Sequence, residues 1–146
     1  MLGLFACSNE KNFPKTPQLE VREFREEFVA IGNGTEKLIF WTLGFTDGDG
    51  DIGVRNDDDA DNFLVTIFYI EDGETKEIEG ESYRIPVVRN IRTEKGIEGS
   101  FEFEIEAALL GIENNISLDS LIYEAFVIDR AGNESNKVST PIFSAF

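Results

Sequence analysis

An all-β chain folded as an antiparallel β-sandwich of about seven strands is predicted by three features of the sequence. Two apolar runs of strand length, Lys37 to Phe45 and Phe63 to Ile70, are rich in aromatic and branched residues and bounded by turn formers. Ser100 to Glu106 alternates strictly, with Phe101, Phe103 and Ile105 on one face and Glu102, Glu104 and Glu106 on the other. Turn signals built from Gly, Asn and Asp recur between the runs. With 146 residues, 41% hydrophobic content and 13 Phe, the chain can bury one sizeable core. One domain, residues 19–146, is therefore expected after a leader and tether at residues 1–18.

Taken in order, Ser8 to Gln18 is polar, contains Pro14 and Pro17 and has no periodicity, so it reads as a tether. Leu19 to Ile31 is ambiguous. Its glutamates and the spacing of Val21, Phe24, Phe28 and Ile31 suit a helix. A first strand breaking before Gly32-Asn33-Gly34 is preferred because every later element is β. Asp72-Gly73 marks a hairpin between Phe63 to Ile70 and a strand at Lys76 to Ile78. Tyr83 to Val88 gives another short strand, which Pro86 places at an edge. Ala107 to Ile112 suits one helical turn. Leu121 to Asp129 is the next strand, Asp129 to Asn133 turns the chain, and Lys137 to Phe143 closes the sheet.

Composition removes several function classes. The 29 acidic and 13 basic residues, a net charge of -16, disfavour nucleic acid, whose binding needs Lys and Arg against phosphates. The same charge attracts cations. With no histidine, the chain lacks the usual general base and imidazole metal ligands. No catalytic residues are assigned and no enzyme is expected. The single cysteine, Cys7, excludes an internal disulfide.

Between the two apolar runs lie 17 residues, Thr46 to Asn62, composed mostly of Asp, Asn and Gly. Unstructured loops of that length are uncommon in compact domains and tend to be functional. Asp47, Asp49 and Asp51 alternate with Gly48 and Gly50, which let the backbone turn sharply between carboxylates. A hard cation such as Ca²⁺ needs six to eight oxygen ligands at roughly 2.3–2.6 Å, so this spacing predicts a structural Ca²⁺ site. Asp47, Asp49 and Asp51 match positions one, three and five of an EF-hand loop, with Asp58 at twelve. Ile52, however, stands where the EF-hand needs glycine, and strands flank the loop, so no EF-hand is expected. The competing reading is a solvated turn, since Asp and Gly are common turn formers. Asp57, Asp58, Asp59 and Asp61 are less specific and would enrich the local ion atmosphere.

Three stretches carry resemblances. Leu4-Phe5-Ala6-Cys7-Ser8 resembles the lipobox of bacterial lipoproteins, which implies lipidation of Cys7 and attachment to a membrane through lipid. Met1 to Phe5 is short for a secretory signal and lacks a basic start, so a shortened leader is expected, with a chance cysteine as the alternative. Asp119 to Ala125 resembles the tyrosine corner of immunoglobulin-like domains, with Tyr123 two residues before Ala125, where antibody domains carry a cysteine. An ordinary core-edge tyrosine is the alternative. Asp129-Arg130-Ala131-Gly132-Asn133-Glu134-Ser135 resembles the hairpin joining the last two strands of bacterial Ig-like repeats.

Together these are similar to small surface lipoproteins of Bacteroidota with an Ig-like domain, which implies an Ig-like fold and a cell-envelope location, in the outer membrane and periplasmic or surface-facing. In an Ig-like sandwich the loop after the second strand and the turn before the last strand emerge at one end. Asp129 or Asn133 would then complete a cation site begun by Asp47, Asp49 and Asp51.

The resulting expectation is a non-catalytic, lipid-anchored binding or assembly module with an unknown protein or glycan partner. A carbohydrate-binding module is the alternative, with Trp41, Tyr69 and Tyr83 as stacking platforms, although the apolar neighbours of Trp41 favour a core position. A hydrolase using carboxylates of the Asp57 to Asp61 cluster is a weaker one.

Overall fold

The computed structural model describes residues 12–53, 60–85, 92–93, 95–108, 111 and 115–146. Cys7, Asp57, Asp58, Asp59 and Pro86 to Val88 lie outside the described residues. The elements run β1 (Gln18–Ile31), β2 (Gly34–Asp47), β3 (Phe63–Glu71), β4 (Glu74–Tyr83), β5 (Arg92–Thr93), β6 (Gly96–Glu104), β7 (Leu121–Val127) and β8 (Val138–Ser139). They form two four-stranded antiparallel sheets, ordered β1-β2-β6-β5 and β4-β3-β7-β8. In immunoglobulin lettering these orders read A-B-E-D and C′-C-F-G. The fold is therefore the expected antiparallel sandwich, with eight strands. The additional strand is the two-residue β5.

The core lies between the sheets. Alternation brings Ile39, Trp41, Leu43 and Phe45 of β2 inward, and Phe63, Val65 and Ile67 of β3 and Leu121, Tyr123, Ala125 and Val127 of β7 face them. Phe63 of one sheet meets Phe101 and Phe103 of the other edge-on, at centroid distances of 5.1 and 5.6 Å. Glu102 and Glu104 stay exposed on the opposite face of β6, as the alternation predicts.

The ambiguity of the first segment has a structural cause. Val21 pairs with Leu43 and Glu23 with Thr42, leaving Arg22 as an extra residue in a bulge. The extra residue puts Val21 and Phe24, three apart, on the same face, which imitates helical spacing within a strand. A Cβ on Gly44 would collide with the Arg22 side chain, so glycine there lets Arg22 lie across the sheet.

A second bulge corrects the expectation of two strands after the Asp72-Gly73 turn. β4 is continuous from Glu74 to Tyr83, and Glu79 and Gly80 together oppose Thr66. A Cβ at Gly80 would collide with the Val65 carbonyl, so this glycine permits close backbone approach instead of ending the strand. The last strand is shorter than expected. Pro141 has no N–H to donate, and pairing resumes only where Phe143 and Leu121 exchange backbone hydrogen bonds of 2.8 and 3.0 Å. Ala108 and Gly111 are helical at the predicted turn.

The two outer faces differ in chemistry. β1 and β6 present Glu23, Arg25, Glu27, Glu102 and Glu104 to solvent. On the second sheet, Leu64, Phe68 and Ile70 of β3 and Ile122 and Phe126 of β7 alternate with core residues and therefore face outward, half-buried. Leu64 stands opposite Phe126 and Phe68 opposite Ile122, giving an outer strip in which the Thr66–Glu124 pair separates the two apolar pairs.

Facing should be visible in stability. Urea unfolding of Ile67→Ala, a fully buried position, should show a loss of about 2–5 kcal/mol. Leu64→Ala on the outer strip should cost about 1 kcal/mol or less. Equal losses at the two sites would contradict this assignment of faces.

Candidate metal centre

The inward-facing rows of β2 and β7 both run on to an aspartate at the same end of the sandwich. In β2 the row 39, 41, 43, 45 reaches Asp47, and past β7 the row 121, 123, 125, 127 reaches Asp129. Asp47 is 0% exposed and Asp129 5%. Charged groups at such depth are costly unless paired or bound to a cation.

The loop after β2 is built back over these groups. Ile52, fully buried, plugs the end of the core, and its N–H donates to Asp47 Oδ2 at 2.7 Å. Gly50 and Gly53 take φ of 73° and 94°, values that admit the reversal only at low cost without a Cβ. The turn after β7 folds around its own aspartate. Asp129 Oδ1 accepts the Asn133 N–H at 2.7 Å, and Oδ2 accepts from Asn133 Nδ2 at 2.8 Å.

Further hydrogen bonds stitch loop and turn together. The Arg130 N–H donates to the Asp51 carbonyl at 3.2 Å, and the Ala131 N–H donates to Asp51 Oδ2 at 3.1 Å. Arg130 Nη1 donates to the Gly53 carbonyl at 3.0 Å. Arg130 thus acts on the loop backbone. It was absent from the candidate residues, although it is the one basic residue between Asp129 and Asn133.

Asp47, Asp49, Asp51 and Asp129 each bring one carboxylate oxygen into a group whose members all lie within 4.8 Å of one another. Oxygens on opposite sides of a Ca²⁺ ion are about 4.6–5.2 Å apart, twice the usual bond length. The group is therefore of a size to surround one such ion. Asp47 Oδ1 and Asp51 Oδ1 are buried without a hydrogen-bond partner. Among the described residues, no Lys or Arg forms an ion pair with any of the four carboxylates. At an effective dielectric near 20, full charges at this separation repel by about 3 kcal/mol per pair.

The electrostatic strain appears in the titration of the group. Burial, with the neighbouring Asp49 carboxyl, pushes Asp47 from 3.8 up to about 6. Asp51 is also raised, by burial first and then by Asp49 and Asp129.

Of the predicted site residues, the structure thus brings together Asp47, Asp49, Asp51 and Asp129. Asn133 sits behind Asp129 and orients it, and Asp58 falls outside the described residues. The other candidate features separate. Trp41 is fully buried, and Tyr83 packs against Phe63 and Phe103, so neither offers a free stacking face. Tyr69 is half-buried, with Lys76 Nζ 6.0 Å from its ring centroid. Asp61 accepts from Arg84 Nε at 3.3 Å. Tyr123 is a core residue against Phe143, and among the described residues none accepts a hydrogen bond from its hydroxyl, as a tyrosine corner requires.

In chelator, the raised Asp47 carboxyl should make stability pH-dependent. Its stabilising contribution is complete below about pH 4, where the unfolded chain is also protonated, and is lost as pH rises through about 6. Thermal midpoints in chelator should therefore fall between pH 4 and 7, beyond any fall seen in Asp47→Asn. Identical pH profiles for the two proteins would refute the shift.

No protein-family model matches this chain, and neither a curated protein nor a solved structure was found to be similar to it.

Proposed function

We propose that this chain is a non-catalytic binding or assembly module of the cell envelope, lipid-anchored through Cys7 and stabilised by Ca²⁺ at Asp47, Asp49, Asp51 and Asp129. The observation that carries the reading is the pair of buried, unpartnered oxygens on Asp47 and Asp51 inside a group of four carboxylates. Buried polar groups normally find partners, and a hard cation supplies one to all four carboxylates at once. The ion would join the loop after β2 to the turn after β7, and so one sheet to the other. Water or further oxygens would complete its shell.

The binding role draws support from the half-buried outward pairs Leu64–Phe126 and Phe68–Ile122, since apolar groups on the outer face of a sheet are available for contact with a partner. The envelope location rests on the lipobox-like Leu4 to Ser8 and on the acidic Ig-like character of the chain. Among the described residues no helix is long and apolar enough to cross a membrane.

Extracellular Ca²⁺ modules bind at about 10⁻⁴–10⁻³ M, and a ligand at a hundredfold over its dissociation constant adds about 2.7 kcal/mol. Thermal unfolding with excess Ca²⁺ should therefore rise on the order of 10 °C over chelator, with a smaller rise in Mg²⁺. Asp51→Asn should abolish the response. A midpoint indifferent to Ca²⁺ would reduce the cluster to a solvated turn. Mass spectrometry of the protein from bacterial membranes should find the lipid on Cys7.

A further inference from the structure

The residues just before β1 lie against the cation site. The Gly48 N–H, in the peptide that follows Asp47, donates to the Pro14 carbonyl at 2.7 Å. On the same stretch the Phe13 N–H donates to the Lys95 carbonyl at 3.1 Å. A Cβ on Gly48 would collide with the carbonyls of Phe13 and Pro14, and one on Gly96 would collide with the Asp47 carbonyl. Three backbone segments, 13–14, 47–48 and 95–96, are therefore in direct contact with no side chain between them. Pro17, fully buried, and Leu19, bonded through its N–H and carbonyl to the Asn136 amide at 2.8 and 2.9 Å, fix the chain further along. Phe13 to Thr16 thus form a strap whose hold passes through the loop that carries the carboxylates.

We infer that cation occupancy at Asp47, Asp49, Asp51 and Asp129 controls whether this strap is docked, an inference that rests on the cation reading given above. Gly48 lies between two of the ligands. Without an ion, mutual repulsion of the four carboxylates favours opening of the 47–51 segment, and opening withdraws the Gly48 N–H from Pro14. With an ion bound, the segment is pinned to Asp129 and the donor stays in place. Coupling of this kind is reciprocal, so a docked strap raises cation affinity by the factor by which the cation favours docking. The device would make the attitude of the domain on its N-terminal segment depend on Ca²⁺.

Lys15 lies exposed within the strap and reports its state. The full chain is treated with endoproteinase Lys-C in chelator and in saturating Ca²⁺, with Ca²⁺ binding measured by calorimetry. Cleavage after Lys15 should slow by about tenfold or more in Ca²⁺, because cleavage follows the population of the open strap. Cleavage after Lys76, within the sandwich, goes through unfolding of the domain and should be far slower than cleavage after Lys15 in chelator, so protection at Lys15 reads the strap and not the whole fold. Asp49→Asn should be cut at Lys15 equally fast in both conditions. Gly48→Ala should be cut fast in both and bind Ca²⁺ more weakly. Calcium binding without selective protection of Lys15 would overturn the strap coupling alone. No detectable calcium binding would overturn the cation site as well.

Discussion

Two buried aspartates govern the architecture of one end of this protein. Asp47 and Asp129 continue the core-facing rows of strands that belong to different sheets, so the alternation that builds the core also carries two carboxylates to its end. Their burial has to be compensated. Part of the compensation is backbone donation, from Ile52 to Asp47 and from Asn133 to Asp129. What remains is unpartnered oxygen and mutual repulsion, both of which a divalent cation relieves. Gly50, Ile52 and Gly53 shape the loop after β2 around that demand, and Arg130 holds it from the turn after β7.

The rest of the sandwich spreads a net charge of -16 unevenly. The outer face of the β1 sheet carries alternating Glu and Arg, with Arg25 set among Glu23, Glu27 and Glu102. Exposed pairs of this kind contribute little to stability, but they keep an edge strand hydrated. The bulge at Arg22 further interrupts the edge, which blunts its use as a template for another chain. The opposite sheet keeps apolar residues on both faces of β3 and β7. Charge returns on β4, which carries Glu74, Lys76, Glu77 and Glu81, so the outward apolar residues of this sheet are confined to β3 and β7.

Much of the fold was legible because period-two alternation is local. The strands at Leu19 to Ile31, Lys37 to Phe45, Phe63 to Ile70 and Ser100 to Glu106 all stand within a few residues of their expected limits. What misled were the bulges. The strand expected at Lys76 to Ile78 runs on through Gly80, where a Cβ would collide with the Val65 carbonyl. Val21 and Phe24 read as a helical pair because Arg22 is the extra residue. β5 escaped notice because a two-residue strand carries no periodic signal. In the candidate site, Asp47, Asp49 and Asp51 were visible through their spacing. Asp129 was visible only through the Ig-like loop arrangement, and Arg130 was not visible, because its partners are backbone carbonyls far away in sequence.

The sequence by itself determined the fold class, the excess of carboxylate, the lack of imidazole chemistry and a glycine-spaced row of aspartates, all properties of composition and short-range pattern. Only the tertiary structure decided which of those aspartates are buried, that Asp129 joins them and Asn133 stands behind, and that residues 13–14 rest on the loop that carries them. Burial and convergence depend on contacts between segments tens of residues apart. Nothing in the local chemistry of an aspartate records the neighbour that folding will bring to it.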